Sequence, residues 1–113
     1  MKTTGIIQYD ADLVLYKTEP LFDTGQIVVT QNLWDTVSDK LIEVDCFKGF
    51  AQMINDHQHG VWGRLDDEDW NANMRAVRDG ARILSVYEIE GIKVWCITEA
   101  DRSVTTLLLP EDY

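Results

Sequence analysis

Long apolar runs are missing from this chain of 113 residues. None approaches the roughly 20 residues that a membrane-spanning helix requires, so no membrane segment is expected. Cysteine is scarce: Cys46 and Cys96 stand far apart and neither belongs to a CxxC pair. That removes zinc-ribbon and thioredoxin-type chemistry and leaves each thiol a small buried hydrophobe. Met1-Lys2-Thr3-Thr4 opens no signal-peptide core, and a cytoplasmic protein with reduced thiols is expected. The seven glycines form no glycine-rich strand–helix fingerprint, so no nucleotide cofactor and no methyltransferase fold are expected. Positive charge is also in short supply. Ten Lys and Arg face twenty Asp and Glu, a formal net charge of -10. Such a chain repels nucleic acid and anionic membranes. It either uses its charge for solubility or attracts basic proteins, in the limit by resembling the charge of a duplex.

The strongest patterning lies in the last third. Arg82 to Ile89 alternates, with Ile83, Ser85, Tyr87 and Ile89 on one side and Leu84, Val86 and Glu88 on the other. Period two over this length predicts a strand. Glu90-Gly91 predicts a two-residue hairpin turn into a return strand, Ile92 to Thr98. Apolar groups on both faces of that strand predict a central position, covered on each side for much of its length. Ala100 to Ser103 reads as a turn, Val104 to Leu109 as a third strand, and Pro110 as its end. Upstream, Gln26 to Thr30 predicts a strand that pairs with this meander. Thr30 caps a helix over 31–39, Asp45 one over 46–58, and Asp66 one over 67–79 that Gly80 closes. Thr4–Tyr9 and Leu13–Tyr16 form either a hairpin or an N-terminal arm within residues 1–20. The expectation is one α+β domain: an antiparallel sheet of about four strands with two to three helices on one face.

Few positions invite chemistry. Glu99, Asp101, Arg102, Ser103, Thr105 and Thr106 make the densest polar cluster. They read either as a loop gripping an anion or a partner's carboxylate, or as a turn in which Asp101 accepts main-chain N–H bonds and Arg102 pairs with Glu99. A variant pairs Arg102 with the acids of 66–69, tying helix to sheet. Trp62, flanked by flexible residues, reads as a partly exposed interface anchor or as a plug at the core edge. Asp66, Asp67 and Asp69 read as the cap and first turn of a helix, exposed and available to a basic partner. His57 and His59 are weak metal candidates with Asp56 and the 66–69 acids nearby, because two residues apart on a helix they point in different directions. No metal is expected on balance. Nothing singles out a nucleophile or an acid–base pair.

Several stretches carry a family resemblance: His59-Gly60 with Trp62-Gly63, Leu65 with Glu68-Asp69, Asn73, and Gly80 with Arg82–Ser85 and Tyr87. Above all there are Lys93–Trp95 with Ile97–Ser103, Thr105-Thr106 and Leu108–Tyr113, and, nearer the start, Phe22 with Gly25–Val28. On these residues the chain resembles a family of small bacterial proteins carried on plasmids and other mobile elements, some labelled a subunit of type I restriction enzymes. The resemblance implies a bacterial, phage or plasmid setting and makes residues 1–20 an extension. The family has no established activity, so it supplies no catalytic residues. Val61 stands where members commonly carry an acid.

Together these readings predict a small acidic, non-enzymatic protein-binding module of a mobile element. Its specific form is an anti-restriction or anti-CRISPR inhibitor that mimics DNA and engages a basic DNA-binding or nuclease protein. The alternatives are a metal-dependent hydrolase or nuclease built on the His and Asp residues near 57–69, and a homo-oligomeric regulatory protein, for example a homodimer through a sheet edge.

Overall fold

The computed structural model describes residues 18–113. The hairpin or arm expected from Thr4–Tyr9 and Leu13–Tyr16 lies outside them. The order of elements is β1 (Gln26–Val29), α1 (Gln31–Ser38), α2 (Glu43–Gln58), α3 (Asp67–Asp79), β2 (Ile83–Ile89), β3 (Ile92–Thr98), β4 (Val104–Leu108) and a short 3₁₀ turn at Pro110–Asp112. This is the expected α+β architecture. No helix among the described residues is long and apolar enough to cross a membrane.

Local chemistry places the helix ends. The Thr30 hydroxyl accepts from the Leu33 N–H (3.2 Å) and caps α1. Asp66 Oδ1 accepts from the Asp69 N–H (2.8 Å) and caps α3, which Gly80 terminates in the left-handed conformation. For α2 the expected Asp45 cap is corrected. The helix starts two residues before Asp45, at Glu43, with Ile42 at its cap position and no side-chain cap. Both Glu43 and Asp45 then lie in the first turn, where negative charge meets the unpaired N–H groups.

The sheet order is β1-β4-β3-β2. β2, β3 and β4 form the predicted antiparallel meander, but β1 runs parallel to β4, which corrects the fully antiparallel expectation. Three helices and the β2–β3 hairpin intervene between β1 and β4. No tight turn therefore forces the two to run in opposite directions.

The register makes two faces of different character. Rows such as Ser85–Cys96–Leu107–Val29 and Ile83–Thr98–Thr105–Ile27 share the inner face. Leu33 and Val37 of α1 and Cys46, Phe50 and Met53 of α2 close over Tyr87, Val94, Cys96 and Leu107 there. A second cluster joins Phe22, Trp62, Ala76 and Ile83 under α3. On the outer face Ile97 and Leu108 are buried, Trp95 is half-buried against the Tyr113 ring (5.5 Å between centroids), and Lys93 is exposed. The central strand β3 is thus covered on both sides for part of its length only.

The two sheet edges differ. At β2, the Asn73 amide grips the main chain of Leu84: its Nδ2 donates to the Leu84 carbonyl (2.6 Å) and its Oδ1 accepts the Leu84 N–H (3.1 Å). The loop before α3 completes the cover, since Val86 N–H donates to Trp62 O (3.1 Å) and Arg64 N–H to Val86 O (2.9 Å). At β1, the Gln26 N–H donates to the carbonyl of Ser103, just before β4, and the Thr30 N–H to that of Leu107 in β4, both at 3.0 Å. By the alternation of a ladder, the main-chain groups of Ile27 and Val29 face away from the sheet.

Candidate functional site

The sequence-derived residues divide into those that hold the fold together and those that face outward. His57 belongs to the first group. It is buried at the end of α2, with the Phe22 ring edge-on to it (5.1 Å). A chain of hydrogen bonds fixes its tautomer. Thr105 Oγ1 donates to the Thr24 carbonyl (2.8 Å), so it accepts from Thr98 Oγ1 (2.6 Å). Thr98 in turn accepts from the His57 Nε2–H (2.8 Å). The ring's Nδ1 is left as acceptor for the Ser85 hydroxyl, its other close partner. Burial, with a smaller contribution from the positive charge of Arg102, lowers the His57 pKa to about 3. A neutral imidazole with both nitrogens engaged in the core is no metal ligand, and this corrects the candidate role of His57. His59 lies elsewhere, with Nδ1 toward the Asn55 carbonyl (2.7 Å) and Nε2 toward the Thr18 carbonyl (3.1 Å). The structure does not bring the two histidines to one point. Among the described residues no three His, Cys, Asp or Glu side chains gather as metal ligands.

The 99–103 cluster is a structural turn, and the anion-gripping reading is corrected. Asp101 accepts from the Ser103 N–H (3.0 Å), and bonds from Ser103 hold its carboxyl below the usual range. Arg102 takes a positive φ of 60° and turns its guanidinium inward. Nη2 donates to the Ala76 carbonyl (2.9 Å), and Nη1 to the Ala81 and Glu99 carbonyls (2.6 and 3.1 Å), with the Phe22 ring 5.5 Å away. It closes the C-terminal end of α3 and ties it to the sheet, as the helix-to-sheet reading anticipated, but through carbonyls rather than through the 66–69 acids. Glu99 pairs instead with Arg82 (3.1 Å).

Trp62 is 0% exposed, which corrects its reading as an exposed anchor. Its indole N–H donates to the His57 carbonyl (3.1 Å), and its ring meets Trp70 edge-on at 5.2 Å. The loop that carries it is held against β2, so the ring closes the core. Cys46 and Cys96 are buried free thiols with pKa values pushed up, chiefly by burial.

Two features face outward. Asp66, Asp67, Glu68 and Asp69 are exposed together on the first turn of α3. Ion pairs among the described residues join Arg64 to Glu88, Arg78 to Asp79 and Arg82 to Glu99, none of them to this run. The second feature is an apolar groove of about 620 Å³ between β1, α1 and α2, walled by Ile27, Val29, Trp34, Phe47, Phe50 and Ile54. Phe47 is 58% and Ile27 48% exposed. The apolar positions of α2 in this region are Cys46, Phe47, Phe50, Ala51, Met53 and Ile54. Those positions, from Cys46 to Ile54, span about 160° at 100° per residue, wider than the roughly 100° stripe that one packed face needs. That excess was the available signal for the groove.

No protein-family model, no curated protein and no solved structure matches the chain.

Proposed function

We propose that this chain is a small acidic, non-enzymatic protein-binding module of a bacterial mobile element, cytoplasmic in location. In its specific form it is an anti-defence inhibitor that offers its acids to the basic DNA-binding surface of a restriction or CRISPR nuclease. The observation that carries the reading is the exposed acid run on the first turn of α3, which has no ion pair among the described residues. Its geometry is fixed by the Asp66 cap. A net charge of -10 adds long-range attraction for a basic partner, which accelerates encounter and falls with salt. The mobile-element setting rests on the sequence resemblance.

The test is capture of proteins from a bacterial lysate on the tagged chain at about 0.05 M and about 0.5 M salt, two conditions of very different screening. Asp67→Lys, Glu68→Lys and Asp69→Lys are combined in a second bait that keeps the Asp66 cap. DNA-binding proteins are expected on the native bait at low salt, absent at high salt and absent from the charge-reversed bait. No retained nucleic-acid enzyme, or retention indifferent to the reversal, contradicts the reading.

A further inference from the structure

The two edges of the sheet differ in what guards them. Asn73 and the Trp62 loop take up the main chain of β2. β1 ends the sheet on the other side, and Gln26–Val29 holds no charge, no proline and no bulge. Those are the usual guards of an open edge. The outward-facing main chain belongs to Ile27 and Val29, with Val28 between them bonded toward β4.

This spacing is its own complement. An antiparallel copy related by a two-fold axis at Val28 sets Ile27 opposite Val29 of the partner subunit. The same axis sets Val29 opposite Ile27 of the partner subunit. Both are hydrogen-bonded pairs, so every outward N–H and C=O of these residues is taken up. Residues opposite each other in such a ladder point to one face. The side chains of Ile27 and Val29 line the apolar groove, so the two grooves join across the axis. Ile27 and Phe47, 48% and 58% exposed, lie at that junction. Among the described residues that line the groove none is charged, so nothing there selects a partner by its charge.

We propose that β1 pairs with β1 of a second copy, joining two four-stranded sheets into one across a two-fold axis. The inference goes beyond the DNA-mimic reading and uses none of its residues. The net charge of -10 on each copy opposes association at long range, and salt screens that repulsion. The dimer should therefore tighten between about 0.05 M and about 0.5 M salt. Capture of basic proteins by the α3 acids runs the opposite way.

Sedimentation and residue-resolved amide exchange on the full chain, from about 1 μM to about 1 mM, test the pairing. A Kd below about 0.1 mM is expected at about 0.5 M salt. In the dimer the Ile27 and Val29 amides should slow by at least about tenfold. That of Thr30, already bonded to Leu107, should stay unchanged. Ile27→Pro removes an outward N–H and no bond to β4, a place where an edge strand tolerates proline. It should weaken the dimer by about tenfold or more. Phe47→Asp, on a side chain too exposed to hold the fold, should do the same. The Asp67→Lys, Glu68→Lys, Asp69→Lys chain should dimerise at least as tightly as the native one, so this interface and the α3 surface fail separately. Four results overturn the proposal. A monomer at about 1 mM with fast Ile27 and Val29 amides leaves the edge to a different protein. Slow Ile27 and Val29 amides in the monomer place another part of this chain there. A dimer that both Ile27→Pro and Phe47→Asp leave intact uses another surface. A dimer that loosens as salt is added is held by charge and not by this uncharged edge.

Discussion

Acidifying from about pH 8 to about pH 4.5 is expected to remove about 3 kcal/mol of stability through a single side chain, His57. In the unfolded chain a histidine takes up a proton as the pH falls through about 6.5. In the folded chain burial, aided by Arg102, holds that event down to a pH of about 3. A proton is thus bound by the unfolded state and refused by the native one throughout this window. The contribution is whole above about pH 6.5 and drains at about 1.4 kcal/mol per pH unit until about pH 3. The total approaches about 5 kcal/mol, comparable to the entire stability of a modest domain. Asp79, Asp101 and Asp112, whose bonds to Arg78, Ser103 and Asn32 lower their pKa values, act in the same direction only at the acid end of the window. Relief of self-repulsion as the net charge falls acts the other way. Comparison with His57→Gln cancels that common term, because glutamine can bond Ser85 and Thr98 without titrating. Urea midpoints for both proteins across the range should show the native advantage shrinking by about 3 kcal/mol by about pH 4.5. Parallel curves would mean that His57 is not the neutral, buried group described here.

Gly63→Ala is expected to destabilise the fold by about 4 kcal/mol or more, against about 1 kcal/mol for Gly80→Ala. Both glycines have nearly the same positive φ, +76° and +77°. Their surroundings differ. A Cβ at Gly80 meets nothing within 4 Å, so that variant carries only the intrinsic penalty of a left-handed alanine. A Cβ at Gly63 would stand 1.9 Å from the Val86 carbonyl oxygen, a main-chain atom that also accepts the Arg64 N–H. Relief requires the loop to leave β2, which breaks the Gly63–Val86 bridge and withdraws Trp62 from the core. Urea unfolding of the two variants side by side checks the difference. Equal losses would show that the loop yields without disturbing Trp62.

What could be read from the residues follows the range of the interactions. The meander, its turn and the caps at Thr30 and Asp66 depend on contacts within a few positions, and they stand where local pattern puts them. The direction of β1 does not, because three helices separate it from β4. Trp62 read as partly exposed because its loop is glycine-flanked, yet its burial depends on the pairing of that loop with Val86. The His57 network draws on Ser85, Thr98 and Thr105, each on a different strand, so no spacing along α2 could reveal it. Arg102 shows the same limit. Its positive φ and inward guanidinium follow from the position of α3 relative to the β3–β4 turn, so a sequence cluster that resembled a binding loop closes a helix instead. The acids of 66–69 were legible as a cap and an exposed run, and the proposed DNA-mimic surface rests on them.

The proposed DNA-mimic role meets its most direct test in competition. With DNA-binding proteins held on the tagged chain at low salt, a short DNA duplex is added in excess. If the acids of α3 occupy a surface built for a duplex, the duplex should displace the chain and release the bound proteins, and the Asp67→Lys, Glu68→Lys, Asp69→Lys bait should have had none to release. Proteins that stay on the native bait in excess duplex, or that bind chain and duplex together, would contradict the DNA-mimic reading.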